Sequence, residues 1–146
     1  MTLLDRPLRA AILAAAGSTI VRRTVSRYGM QLGAKRFVAG ETDGEFLEAA
    51  RAANAGGFAV ACGILGEGVR DPAEAAAVAG RYCELLHAFS AQRIDANVAF
   101  KLTHVGLDLD PQLAFDNAER IAHAAEATGN TVRLDMEQSR CVDATL

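Results

Sequence analysis

The chain has 146 residues, a formal net charge of −3, 51% hydrophobic residues and 23% charged residues. That length fits one domain or part of one, and the balance is globular rather than disordered. Slight acidity offers no field for nucleic acid, no RNA-stacking aromatic motif is present, and no apolar run reaches the ~20 residues of a membrane span.

Residues 1–35 read as a helical lead-in. Residues 8–21 are Ala-rich, with Arg6 before them and Arg22-Arg23 after them. A secretory leader would share that outline, but Arg9 interrupts the apolar run and Asp5 precedes it. An amphipathic helix ahead of the main domain is the expectation. A solvated face is the ordinary role of its arginines, and peripheral contact with a membrane surface is the alternative.

The next elements alternate. Arg36-Phe37-Val38-Ala39 reads as a first strand, and the helix after it opens on the capping-box spacing of Thr42 and Glu45. Gly56-Gly57 ends that helix, and residues 58–65 read as a second strand. Asp71, Pro72 and Glu74 start a second helix, with Val78, Tyr82, Leu85 and Phe89 as its apolar stripe. Residues 97–103 form a third strand. Asp110-Pro111 opens a third helix striped by Ala114, Ala118, Ile121 and Ala125 and stopped by Gly129-Asn130. Residues 131–136 form a fourth strand, and residues 141–146 begin a fourth helix.

Repeated strand–helix units build a parallel sheet or a (β/α)8 barrel, with ligand chemistry at the carboxyl ends of the strands. A full barrel has eight strands. The fold expected is therefore α/β: residues 36–146 as the N-terminal half of a (β/α)8 TIM-type barrel, truncated after its fourth strand. The strand ends carry Glu41, Glu67, Lys101 with Thr103, and Asp135 with Glu137. Strand parity sets Val98, Phe100 and Leu102 against Ala99, Lys101 and Thr103. It also sets Val132, Leu134 and Met136 against Arg133, Asp135 and Glu137. The apolar sets should face helices, and the polar sets the barrel mouth, where charges must pair or bind something.

Cys62, Cys83 and Cys141 have no paired spacing and read as reduced thiols of a cytosolic protein. His87 and His123 fall in helical stretches, while His104 is the histidine at a strand end. None has metal-ligand spacing with the cysteines, so no metal is expected.

Four motifs stand in order along the chain. They are Arg36-Phe37-Val38-Ala39-Gly40-Glu41-Thr42; Leu65-Gly66-Glu67; Asn97-Val98-Ala99-Phe100-Lys101-Leu102-Thr103 with Gly106-Leu107-Asp108; and Arg133-Leu134-Asp135-Met136-Glu137 followed by Val142-Asp143-Ala144-Thr145-Leu146. The series resembles bacterial single-function proline dehydrogenases. The resemblance implies a distorted (β/α)8 barrel that holds FAD, oxidises L-proline to Δ1-pyrroline-5-carboxylate and passes electrons to a quinone. It implies that Lys101 helps bind the proline carboxylate and that Asp135 sits beside flavin and substrate. Met136 would contact the flavin, and Glu67 would pair with a substrate-binding arginine. Localisation would be cytoplasmic, with a peripheral contact at the inner membrane.

Two departures from the family accompany the match. Gly63 stands where the family usually has an acidic residue. The family's second half-barrel, with an arginine near the flavin, most FAD contacts and a pair of carboxylate-clamping arginines, has no matching positions here. The isolated chain is therefore expected to oxidise proline feebly. The alternative is a non-catalytic half-barrel that assembles with a complementing C-terminal half or as a homo-oligomer. A third reading makes Lys101 a Schiff-base nucleophile of aldolase type, which explains Lys101 but not the motif series.

Overall fold

The computed structural model describes residues 9, 10, 12, 14, 18–29 and 33–146. The chain divides into two compact units, Met1–Thr42 and Asp43–Leu146. Residues 8–21 therefore lie partly outside the described residues, as do Asp5 and Arg6. No helix among the described residues is long and apolar enough to cross a membrane.

The first unit holds helix α1, Thr19–Tyr28, with Arg27 in its last turn. A short 3-10 turn, Ala34–Arg36, follows. The expected first strand at residues 36–39 does not form. Gly33 takes φ +116°, and the Arg36 N–H donates to the Gly33 carbonyl at 3.1 Å. That local turn takes the group a ladder would have used, and Phe37 is left 85% exposed.

The second unit is the α/β body. Its order is α2 (Asp43–Ala55), β1 (Val60–Cys62), α3 (Pro72–Gln92), β2 (Ala96–Phe100), a 3-10 turn (Leu102–Val105), α4 (Pro111–Ala127), β3 (Val132–Leu134), a 3-10 turn (Ser139–Cys141) and α5 (Val142–Thr145). The strands form a parallel sheet in the order β1-β2-β3. Val60 pairs with Ala96 and Cys62 with Val98; Val98 then pairs with Val132 and Phe100 with Leu134. Each strand thus lies beside its predecessor, joined by a helical crossover, without the order reversal of a doubly wound sheet. This is compatible with part of a barrel wall.

Local chemistry sets the helix ends. Asp71 accepts from the Ala73 N–H at 3.0 Å ahead of Pro72, and Asp110 accepts from the Gln112 N–H at 2.9 Å ahead of Pro111. Both satisfy one of the orphan donors of a first turn. Asn54 ties the entrances of β1 and β2, donating to the carbonyls of Phe58 and Asp95 and accepting from the Asp95 N–H.

The core lies between one sheet face and α3 and α4. Tyr82, Leu85, Leu86 and Phe89 from α3 and Ile121, Ala124 and Ala125 from α4 cover Val98, Phe100 and Leu102. The parity expected for residues 97–103 therefore holds along β2. It fails on β3. Val132 packs on the core, but Leu134 is 45% exposed and Met136 is 55% exposed. Helix α5 spans Val142–Thr145, a single turn with no buried residue, so it gives Leu134 no cover. The polar phase is corrected too. Lys101 lies just past the end of β2, and Thr103 sits inside the 3-10 turn, not on a strand.

Candidate active site

The carboxyl ends of β1, β2 and β3 converge on a set of charges. Lys101 is extended, φ −98° and ψ 138°, at the point where β2 passes into its 3-10 turn. Its Nζ donates to Glu67 Oε2 at 2.7 Å, with the two side chains 37% and 61% exposed. Glu67 comes from the loop after β1. Its carboxyl is held below the usual range by that hydrogen bond first and by the lysine's charge second. Lys101 is held above the usual range, chiefly by the bond to Glu67, against a burial cost, with further support from the charges of Glu67, Glu137 and Asp135.

The segment after β3 supplies the other two acids. The Asp135 N–H donates to the Phe100 carbonyl at 2.9 Å, carrying the pairing one residue beyond β3. Asp135 thereby stands at the strand end with its side chain exposed. Glu137 turns inward. Its Oε1 accepts from the Thr103 N–H at 3.0 Å and its Oε2 from the Thr103 hydroxyl at 2.5 Å. Charge-assisted bonds of this kind are the stronger class. Here they clamp the turn after β2 to the segment after β3.

Further ties fix the loops. The Val69 N–H donates to the Thr103 carbonyl at 3.2 Å, and the Ile64 N–H donates to the Tyr82 hydroxyl at 3.1 Å. The Arg140 guanidinium spans the Asp108 carboxylate, at 2.5 Å from Oδ1 and 3.2 Å from Oδ2. This bond holds the Asp108 carboxyl below its usual range. All three segments after the strands are thus braced against one another.

Of the residues expected from sequence, Lys101 and Glu67 are brought into direct contact. Asp135 is close enough to act on Lys101 through its charge. Met136 follows Asp135, beyond the ladder, where strand parity no longer sets its direction. Glu67 has Lys101 as its hydrogen-bond partner. The Thr103–Glu137 clamp was not foreseen, although both residues had been placed at strand ends. The sequence signal for it is a hydroxyl and a carboxylate at the ends of neighbouring apolar runs. Gly63 sits under the neighbouring strand: a Cβ there would lie 3.0 Å from the Ala99 carbonyl oxygen. An acidic side chain would need that backbone to give. Among the described residues, no group of three or more His, Cys, Asp or Glu is arranged to hold a metal ion.

An ammonium bonded to one carboxylate and within electrostatic reach of two more suits a ligand that carries both charges. A ligand carboxylate would exchange with Glu67 on Lys101, and a ligand ammonium would find Asp135 nearby. Burying either charge alone would be costly without such a partner.

Comparison with known proteins gives this site a setting. The family model described as Proline dehydrogenase matches residues 46–146. The chain is 34% identical over 147 aligned residues to Proline dehydrogenase of Deinococcus radiodurans, covering 99% of this chain and 47% of that protein. It is 30% identical over 139 residues to Proline dehydrogenase 1 of Bacillus subtilis strain 168, covering 95% and 46%. Proline dehydrogenase 2 of the same strain is 28% identical over 126 residues, covering 85% and 41%. The chain spans about half the length of the curated relatives it matches. With most of its residues matched by the family model, the chain belongs to the proline dehydrogenase family.

Proposed function

We propose that this chain supplies one part of a flavin-dependent site that oxidises L-proline to Δ1-pyrroline-5-carboxylate and delivers the electrons to a quinone. The observation that carries the reading is the Lys101 ammonium, held by Glu67 at the strand ends and flanked by Asp135 and Glu137, in a chain of this family. Lys101 takes the substrate carboxylate as a fixed cation. Glu67 keeps that cation charged and aimed until the substrate arrives. Asp135 orients the substrate's ring nitrogen. The braced loops hold these groups still, which is what a reaction governed by alignment needs.

The residues present fit the ring of FAD. On the sheet face opposite the helices, Ala61, Gly63 and Ala99 carry little or no side chain, with Ala61 and Gly63 exposed and Ala99 buried. Met136 offers an exposed, polarizable side chain beyond β3. The chemistry FAD supplies when bound is acceptance of the hydride from the carbon beside the substrate nitrogen. Residues for the rest of the cofactor belong, in this reading, to the part of the family's barrel that this chain does not span. The same reading places the protein in the cytoplasm with a peripheral contact at the inner membrane.

The test is proline-dependent dye reduction by this chain mixed with FAD and the complementary C-terminal part of the Deinococcus radiodurans relative. The mixture should reduce dye, and Lys101→Ala should lower kcat/KM for proline at least tenfold, about 1.4 kcal/mol. Equal activity of the variant would overturn the role of Lys101.

A second reading is favoured by the sheet itself. Among the described residues, the outer edges of β1 and β3 have no strand partner in the three-stranded order, and Leu134 on β3 is exposed. Open edges invite another strand. The chain then acts as a half-barrel that assembles with a complementing half or with its own copy. Size measurement in solution decides it: a monomer with cooperative unfolding would argue against assembly.

A further inference from the structure

His104 lies in the 3-10 turn after β2, three residues beyond Lys101, and is only 6% exposed. One side of its ring meets Tyr82 edge-on, with centroids 6.4 Å apart at 88°. Its Nδ1 is buried with no hydrogen-bond partner among the described residues. The Nε2 end of the ring lies against Gly66. A Cβ at that glycine would fall 2.3 Å from Nε2, 2.6 Å from Cε1 and 2.9 Å from Cδ2. All are far inside van der Waals contact, and the ring that would have to yield is buried and packed edge-on with Tyr82. Ring and glycine therefore fit one another only because residue 66 has no side chain.

The position of that contact matters because Gly66 directly precedes Glu67. Backbone bonds anchor the loop on either side, at Ile64 to the Tyr82 hydroxyl and at Val69 to the Thr103 carbonyl. Between these anchors Leu65 is exposed and packs on nothing in the core. The His104 ring is the surface on which the middle of the loop rests. A neutral ring suits a contact with backbone. Burial favours that form first, and Lys101 and Arg81 favour it further, against Glu74 and Glu137.

We propose that His104 is a positioning residue: its ring seats Gly66, and that seat holds the Glu67 carboxylate on the Lys101 ammonium. The consequence for substrate binding rests on the reading of Lys101 given above; the seating itself does not.

The measurement is the titration of the Glu67 side-chain carbon by NMR in the labelled full chain, with Lys101→Ala giving the behaviour of an unpaired Glu67. Gly66→Ala should shift the Glu67 titration upward, toward that of Lys101→Ala. Adding His104→Ala to Gly66→Ala should bring it back toward wild type, because the new methyl fills the space the ring leaves. Should Gly66→Ala fail to fold, His104→Ala alone should show the same upward shift. A wild-type Glu67 titration in Gly66→Ala or in His104→Ala alone, with or without a lower urea midpoint, would mark a purely structural packing role and overturn the proposal. The reading of Lys101 fails separately, if Lys101→Ala leaves proline oxidation by the complemented protein unchanged.

Discussion

At the scale of residues, the strand ends were where the sequence located chemistry, but the pairings there depend on loop paths. Lys101, Glu67, Asp135 and Glu137 follow from apolar runs that stop at charges. That Glu67 meets Lys101, and Glu137 meets Thr103, is decided by the turn at Leu102–Val105, which period-two reasoning cannot see. Thr103 is buried, so Thr103→Val should cost about 1.5 kcal/mol or more in urea unfolding, the range for a hydrogen bond to a charged group. His104 gives a pH dependence. Its folded pKa lies below its ordinary value, so the unfolded chain takes up a proton first as pH falls. Stability contributed by the neutral ring is full above about pH 6.5 and declines as pH falls toward the folded pKa. Urea midpoints measured at about pH 7.5 and 5.5 should differ, and His104→Gln should flatten that difference. Glu67 and Asp108 act in a lower window. Their depressed pKa values keep their contribution intact above about pH 4, and it is lost only as pH falls through the folded values.

At the scale of elements, the helices were the legible part. Caps at Asp71 and Asp110, each followed by proline, and the stripes through Tyr82, Leu85, Phe89, Ala114, Ile121 and Ala125 are local signals, and they reappear as helix starts and core faces. Leu86 was outside the expected stripe yet is fully buried, because α3 packs on both the sheet and α4. Leu86→Ala should cost about 2–5 kcal/mol by chemical denaturation. Helix α3 ends on Arg93 in the left-handed region at φ 54°. Glycine suits that position, so Arg93→Gly should raise stability by up to about 1 kcal/mol. Strands were less legible. Their apolar runs are longer than their ladders, because a ladder extends only as far as its neighbour. The run at residues 58–65 shortens to Val60–Cys62 against β2, and the run at 36–39 yields to a local turn.

At the scale of the whole molecule, β1, β2 and β3 make an open parallel sheet covered by helices on one face, in a chain of about half its relatives' length. Parallel sheets are ordinarily buried on both faces. Among the described residues of the second unit, the strand edges outside the three-stranded order and the exposed Leu134 mark surface that a closed barrel would hide. Neither edges nor closure can be read from hydrophobic period, since both depend on what else is assembled. In the function proposed above, the family's site is shared between this chain and a complementing half. The most direct measurement is the visible absorbance of the chain purified from cells supplied with riboflavin, recorded alone and after mixing with the complementary part of a relative. The account predicts little flavin on the chain alone, and stoichiometric flavin that bleaches with L-proline once the halves combine. Flavin that stays oxidised with proline in the combined protein would contradict it.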